Sequence, residues 1–394
     1  MKNVGIICEY NPLHGGHKYM ISRLREMGAE RVICLMSGNA VQRGDLAVIP
    51  KSRRALSAVE AGADAVFELP FPYSAGSAEF FATAGVDVLS RLGVDTIAFG
   101  SETGDLEKLR ELAERSELFV PSSDKSVGTA ADYISSLGGA LASNDILGIE
   151  YLKAGRRLVP DMAFVTLKRE GAGYHGVAEE GAYPSATELR RAIAEGSIEK
   201  YTELQLPAES KRALEAACAE GEIAYLKNIE SAVLSFWRLC DEEKVSECAE
   251  CGGGVAQRIM SAARSSGTLE EMLEKTATKR YTDSRLRRAV IFGMTGVKRS
   301  DLKERAGYVS LLAANEKGLA FVGTVKDIAV VSKPSRIPDS VRAIRQFTLS
   351  ARLDSLYTLA MKTPRESGMF LRQSPAIVKI DENINKSEEN LKSD

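Results

Sequence analysis

Two of the three histidines in this 394-residue chain, His14 and His17, lie three positions apart in the segment Glu9-Tyr10-Asn11-Pro12-Leu13-His14-Gly15-Gly16-His17. The preceding apolar run, Val4-Gly5-Ile6-Ile7-Cys8, reads as a buried strand, and Lys18-Tyr19-Met20-Ile21-Ser22-Arg23-Leu24 after it reads as a helix. Residues three apart share one face of a first helical turn. The unpaired N–H groups and positive dipole end of that turn favour an anion. A glycine between the histidines removes the Cβ that would hold a phosphate away from the backbone. Imidazoles placed there can donate to phosphate oxygens as pyrophosphate departs. Taken singly, each histidine reads as an ordinary surface or core residue; their clustering at a strand-to-helix turn favours nucleotide binding. Neither H-x-x-x-H nor H-E-x-x-H metal spacing occurs.

The elements that must position this pair follow in order. Arg31-Val32-Ile33-Cys34-Leu35-Met36, Ala65-Val66-Phe67-Glu68-Leu69 and Thr96-Ile97-Ala98-Phe99 read as strands, with helical spacing over residues 52–61 and 78–92. Phe164-Val165-Thr166-Leu167 reads as a fifth strand and delivers Lys168-Arg169 at its end. Strands alternating with helices predict right-handed crossovers and a Rossmann-like parallel sheet of the α/β class, with helices on both faces. Ligands of such sheets bind beyond the C-terminal strand ends, where residues 9–17, 37–44 and 100–102 fall. Ser143-Asn144-Asp145-Ile146-Leu147-Gly148 begins with a helix N-cap signal. In Tyr183-Pro184-Ser185-Ala186-Thr187-Glu188-Leu189-Arg190, Ser185 and Glu188 have capping-box spacing. Capping alone accounts for that motif as well as a phosphate contact by Ser185, Thr187 and Arg190 does.

Composition bounds the rest. Charged residues at 27% and apolar residues at 44% describe a globular protein, and the length predicts two or three domains. No apolar run approaches the roughly 20 residues of a bilayer span, and no signal-peptide pattern precedes the first strand. A cytoplasmic protein with no membrane partner is expected. Cys8 and Cys34 sit in apolar strands and read as buried thiols. Cys248-Ala249-Glu250-Cys251 is a lone C-x-x-C and a weak zinc signal, so no metal ligand is assigned.

Residues 1–196 read as the nucleotide-binding domain, residues 197–378 as a mostly helical region and residues 379–394 as a disordered tail. Residues 253–372 hold 22 Lys and Arg against 11 Asp and Glu, an excess of +11 on a chain of formal charge −2, so the remainder carries −13. A basic part on an acidic whole predicts a polyanionic partner. The densest stretch holds Lys279, Arg280, Arg285, Arg287 and Arg288, with Tyr281 as one stacking platform. The alternative for that stretch is a basic face on a solvated helix.

The H-x-G-H segment resembles that of the nucleotidyltransferase superfamily, and a longer set resembles one branch, the bacterial tRNA(Met) cytidine acetate ligases. That set comprises Met36-Ser37-Gly38, Gln42-Arg43-Gly44, Glu68-Leu69-Pro70, Phe99-Gly100-Ser101-Glu102, Asn144-Asp145-Ile146-Leu147-Gly148-Ile149-Glu150-Tyr151, Lys168-Arg169 with Gly173-Tyr174-His175, and Lys279-Arg280-Tyr281-Thr282. Leu46 and Ser143 stand where that family commonly has proline, and Leu311-Leu312-Ala313-Ala314-Asn315 fits its C-terminal pattern loosely. The resemblance implies that ATP and acetate give acetyl-adenylate and pyrophosphate, and that the acetyl group passes to the wobble cytidine of elongator methionine tRNA. It implies catalytic roles for His14 and His17. It also implies ATP contacts from Ile7, Cys8, Glu9, Tyr10, Asn11, Pro12, Leu13, His14, Gly15, Gly16, His17, Lys18, Tyr19 and Met20, with Gly100, Asn144 and Arg169. Mg²⁺ accompanying the nucleotide is expected, although no D-x-D motif offers a protein ligand. The competing expectations are a small-molecule adenylyltransferase making a coenzyme or dinucleotide, which needs no basic C-terminal half, and a non-catalytic RNA-binding protein, which needs no intact histidine pair.

Overall fold

The computed structural model describes residues 1–117, 141–169, 183–278 and 280–379. Strand β1 (Asn3–Cys8) leads into α1 (Gly15–Glu26), and β2 (Arg31–Ser37) into a two-stranded hairpin, β3 (Ala40–Val41) and β4 (Asp45–Leu46). Helix α2 (Lys51–Glu60), β5 (Ala65–Leu69), α3 (Ala78–Leu92), β6 (Thr96–Ser101) and α4 (Leu106–Glu117) follow. Helix α5 (Ser143–Leu158) and β7 (Ala163–Lys168) complete the alternation that the hydrophobic spacing predicts.

Strands β5, β2, β1, β6 and β7 lie side by side in that order and run parallel. The period-2 side-chain alternation of a strand sorts its residues between the two faces. Val4, Ile6 and Cys8 pack with Ile21 and Leu24 of α1 and Ala55, Ala58 and Val59 of α2. Ile7, Ile33, Leu35 and Phe67 pack with Phe81, Val86 and Leu89 of α3 and Ile149 and Leu152 of α5. Because β1 connects leftward to β2 while β6 connects rightward to β7, the chain reverses direction between β1 and β6, which is where a crevice opens beyond the strand ends.

Helix α6 (Ala186–Glu195) ends the first region, and α7 (Ala208–Ala219), α8 (Glu230–Leu239), α9 (Glu242–Ser246), α10 (Val255–Arg264), α11 (Leu269–Thr276), α12 (Asp283–Thr295) and α13 (Arg299–Lys303) carry the chain through the helical region. The sheet does not end at residue 196. Strand β8 (Val309–Ala314) pairs antiparallel with β5, and β9 (Val330–Val331) and β10 (Ala376–Ile377) pair parallel with β8. The sheet is therefore mixed, mostly parallel, and draws strands from both sides of that boundary. Leu311 and Ala313 read as part of a C-terminal motif; two residues apart, they would share a face in a regular strand, but a register shift opposite Val66 and Phe67 buries them on opposite faces of the sheet, Leu311 beside Phe67 and Ala313 beside Val66. Helix α14 (Glu316–Val322) and the long α15 (Val341–Ala360) close the fold. A second core around Trp237, Ile259, Phe292 and Tyr357 also takes in Ala40, Val41 and Leu46, so the hairpin is clamped between the sheet and the helical region.

Candidate active site

Beyond β1 the chain turns sharply. Tyr10 adopts φ 46°, an uncommon left-handed conformation for a residue with a side chain. Its buried ring lies edge-on to His17 at 4.9 Å, and its hydroxyl meets Cys34 Sγ at 3.4 Å. Burial pushes the Tyr10 phenol and the Cys8 thiol well above their ordinary values, so both stay neutral. Asn11 Oδ1 accepts from the Val48 N–H at 2.8 Å, and Ser210 Oγ donates to the Leu13 carbonyl at 2.7 Å. Of the expected ATP segment, Ile7, Cys8, Tyr10, Asn11, Pro12 and Leu13 are buried and serve to shape the turn. Lys18 pairs with Glu209 at 2.9 Å, and the Tyr19 ring lies 6.0 Å from that of Tyr183; Met20 is half-buried beside the α1–α2 core.

His14 and His17 face one another as their spacing predicts. Their rings stack with centroids 3.6 Å apart, and the His14 N–H donates to His17 Nδ1 at 3.2 Å. A neutral His17 accepting at Nδ1 carries its proton on Nε2. His14 is 2% exposed, and its Nδ1 has no partner among the described residues. Desolvation, then the charges of Arg169 and Arg190, push the His14 imidazole down to about 3; desolvation, His14 and Arg169 push His17 well below its ordinary value. Both rings are therefore neutral donors at pH 7.

The glycines act differently from the expectation. A Cβ on Gly15 would fall 1.8 Å from the Leu204 carbonyl oxygen, and one on Gly16 would fall 3.2 Å from the His14 ring. They admit the neighbouring loop and the imidazole. The Gly15 N–H is not free for an anion either, because it donates to the Gln205 carbonyl at 2.9 Å.

Across the crevice, β6 and α5 supply the facing wall. Asn144 is not a cap: Ala142 occupies the N-cap position of α5. Its Nδ2 donates instead to Glu102 Oε1 at 2.6 Å. Arg169 Nε lies 3.9 Å from the same oxygen. A Cβ on Gly100 would stand 3.3 Å from Arg169 Cγ, so the glycine lets the arginine lie across the end of β6. Glu102 is thus the hub for both expected nucleotide contacts, and the residue-by-residue expectation omitted it. Asp145 Oδ1 locks the same turn by accepting from the N–H groups of Glu102 and Thr103.

Ser185 caps α6 by accepting from the Glu188 N–H at 3.1 Å, as its spacing predicts. Thr187 Oγ1 accepts from Arg190 Nη2 at 2.9 Å, and Arg190 Nη1 donates to the Asn11 carbonyl at 3.0 Å. Arg190 is the member of this motif whose charge reaches His14. Arg54 was not foreseen: 1% exposed, it donates to the carbonyls of Glu9, Ser37, Gly38 and Ile49 and ties the ends of β1 and β2 together. A buried Lys51 holds Glu68 and Asp354 at 2.9 Å each, linking α2, β5 and α15 beside a cavity of about 100 Å³ lined also by Tyr308, Gln346 and Phe370. An arginine or lysine in a helix pattern gives no sequence signal that it points inward, which is why these were missed.

The expected RNA-contact set is divided by the structure. Thr282 caps α12, and Arg280 is exposed, 5.9 Å from the Tyr281 ring. Arg285 lies over the same ring at 4.8 Å and pairs with Glu250 at 3.2 Å. Arg287 pairs with Asp283 at 2.8 Å. Arg288 is 7% exposed and pairs with Glu250 at 3.2 Å, so its charge is consumed inside the fold. The C-x-x-C loop presents Glu250 to these arginines; Cys248 and Cys251 are buried, and Cys251 Sγ donates to the Ala289 carbonyl. Lys279 and the Gly173-Tyr174-His175 motif lie outside the described residues.

A mostly parallel sheet with a stacked histidine pair beyond its first strand, Arg190 tied to the histidine turn and Arg169 on the facing wall, is the arrangement of a nucleotidyltransferase. The HIGH Nucleotidyl Transferase family matches residues 1–369. A tRNA(Met) cytidine acetate ligase of Caldanaerobacter subterraneus subsp. tengcongensis is 34% identical over 389 residues, 92% of this chain and 96% of that protein. Another, from Streptococcus sanguinis, is 34% identical over 387 residues, 93% of this chain and 97% of that protein. The crystal structure of Thermotoga maritima TmcAL bound with alpha-thio ATP superposes with a TM-score of 0.83 at 26% identity, over 96% of this chain and 100% of that one. The apo form of TmcAL gives 0.84 at 28% identity, with the same coverage. The chain belongs to the tRNA(Met) cytidine acetate ligase family.

Proposed function

We propose that this protein activates acetate with ATP and acetylates the wobble cytidine of elongator methionine tRNA. The observation that carries the first step is the neutral, stacked His14–His17 pair, with His17 Nε2 as donor, both imidazoles lowered by burial and by Arg169, and His14 also by Arg190. Fixed donors and cations aimed at one crevice stabilise charge developing on phosphate oxygens. Acetate oxygen attacks the α-phosphorus, the bond to the β-phosphate oxygen breaks, and pyrophosphate leaves. In the second step the cytidine N4 attacks the acetyl carbon, the bond from that carbon to AMP breaks, AMP leaves with the electron pair, and the amine proton passes to water. Positioning and charge stabilisation suffice for both steps, so no covalent nucleophile is required.

ATP fits the crevice between β1 and β6 through Gly100, Asn144 and Arg169 on one wall and the His14–His17 turn on the other, with Arg190 as a phosphate contact. Among the described residues no three His, Cys, Asp or Glu side chains converge as metal ligands. Mg²⁺ would be carried by the phosphate oxygens and would neutralise their charge. The sheet and its crevice form the adenylating part, and the helical, basic region holds the RNA. Among the described residues no helix is long and apolar enough to cross a membrane; a cytoplasmic site of action follows from the proposed tRNA substrate.

The test is pyrophosphate release from ATP with acetate, compared with nicotinamide mononucleotide and phosphopantetheine, followed by mass analysis of nucleosides from methionine tRNA. Acetate-dependent release and an acetylated cytidine are expected. Release with either of the other substrates alone would favour the small-molecule adenylyltransferase.

A further inference from the structure

The β3–β4 hairpin joins the adenylation crevice to the basic helix. On one side, the Gln42 N–H donates to Glu9 Oε1 at 2.9 Å, tying the hairpin to the turn that carries the histidines. On the other, Gly44, at φ +77°, lies so close to α12 that a Cβ there would fall 2.5 Å from the Arg288 backbone nitrogen. The Asp45 carboxylate lies 4.0 Å from the Arg287 guanidinium. Arg190, whose charge reaches His14, also feels the charges of Glu9, Arg43 and Asp45. Charged groups therefore lie in succession from His14 through Arg190 and the hairpin to α12.

Two groups here have no partner among the described residues. Arg43 is exposed and makes no ion pair among the described residues. The hydroxyl of Tyr225, near Asp45 and Arg190, is enclosed and without a hydrogen-bond partner among them. An unsatisfied enclosed hydroxyl is costly unless something completes it.

We infer that the hairpin tip, Gln42 and Arg43, together with Tyr225, seats the acceptor nucleotide. This rests on the acetyl-transfer reading above and assigns its second substrate a place. The attacking amine must reach an acyl group held beside the phosphate site, while the rest of the RNA must extend toward the cations of α12. The hairpin lies between the two. Gln42 can donate its amide to the O2 and N3 acceptors of a cytosine and leave N4 free to react, since a single-stranded base presents that edge. Arg43 matches the adjoining phosphate.

The test uses full-length Gln42→Ala, Arg43→Ala and Arg43→Lys variants and three measurements: acetate-dependent pyrophosphate release, tRNA affinity at low salt, and single-turnover acetyl transfer from preformed enzyme-bound acetyl-adenylate. Each alanine variant should keep pyrophosphate release within about twofold and slow transfer about tenfold or more. Affinity for whole tRNA should change by less than about threefold, because α12 supplies much of it. Arg43→Lys should retain part of the transfer rate. Unchanged transfer in both alanine variants overturns the assignment, as does a parallel fall in pyrophosphate release and transfer, which would mark a merely structural hairpin. Should the native enzyme form acetyl-adenylate but acetylate no RNA, the transfer reading itself fails, and the hairpin assignment falls with it.

Discussion

The His14 N–H and His17 Nδ1 are joined at 3.2 Å, and this single contact sets the chemistry of the pair. It assigns the proton of neutral His17 to Nε2, the nitrogen remaining for a ligand. Donors that meet charge only as it develops help the transition state more than the ground state. His14→Ala and His17→Ala should each lower kcat for acetate-dependent pyrophosphate release about 100-fold, with a smaller change in KM for ATP. Near-native turnover with only a raised KM would remove the histidines from the catalytic role.

Stability should carry the mark of the buried imidazole. His14 is held at about 3, below the ordinary 6.5. Between those values the unfolded chain binds a proton that the folded chain does not. The contribution is therefore full above about pH 6.5 and is lost as pH falls toward 3. From pH 7 to pH 5 the loss from His14 is about 2 kcal/mol. Urea unfolding of native protein and His14→Gln should show the variant declining less steeply over that interval by about this amount. Equal declines would contradict a neutral, buried His14.

Glu102 holds Asn144 directly and lies beside Arg169. Arg169→Lys should weaken ATP about tenfold, since a lysine cannot reproduce a forked contact with phosphate oxygens. Glu102→Ala should also raise the Kd for ATP by freeing Asn144, while leaving the melting temperature within a few degrees, because Glu102 is half-exposed. Calorimetric titration decides both, and an unchanged Kd in either variant removes that residue from nucleotide binding.

The strand-and-helix order and the histidine face were legible because period-2 and period-3.6 spacing is written in consecutive residues. Val4, Ile6 and Cys8 against Ile7 already sort the two faces of β1. Contacts between distant segments were not legible. Nothing near Gly15 announces the Leu204 carbonyl beneath it, and nothing near Arg288 announces Glu250. Five clustered cations look alike in sequence, yet burial divides Arg280 from Arg288. Antiparallel β8 was missed for a similar reason: the short run from Val309 to Ala314 is flanked by helices, and only its pairing with β5 makes it part of the sheet.

The Lys51–Glu68–Asp354 cluster gives a stability prediction of its own. Lys51 is buried between two carboxylates, whose charges raise its pKa against the opposing effect of desolvation. Lys51→Met would leave both carboxylates enclosed without their cation. A loss of about 3–5 kcal/mol is expected on denaturant unfolding, the scale of a broken buried pair. A loss below about 1 kcal/mol would show that the cluster is accessible to water.

The proposed function places RNA binding on the basic helix and adenylation in the crevice, and the two can be separated by mutation. The excess of +11 over residues 253–372 is the proposed electrostatic footprint, and its contact set is chosen by exposure. Arg280 is exposed and Arg287 is half-buried with a partner only one turn away, whereas Arg288 anchors Glu250 within the fold. Neutralised phosphates release counterions, so the affinity of native protein for tRNA should fall with salt, by about −0.9 in log–log slope per duplex phosphate contacted. Arg280→Ala with Arg287→Ala should weaken tRNA binding and flatten that slope by one to two such contacts, about 0.9 to 1.8. Acetate-dependent pyrophosphate release should stay near native, because neither residue lies on the crevice between β1 and β6. Arg288→Ala should instead lower the melting temperature and leave the salt slope largely intact, since removing this buried side chain loses its packing and leaves the half-buried Glu250 carboxylate with Arg285 as its remaining partner. If Arg288→Ala flattened the slope while the Arg280 and Arg287 pair did not, the RNA would have to lie on a different face of the helical region.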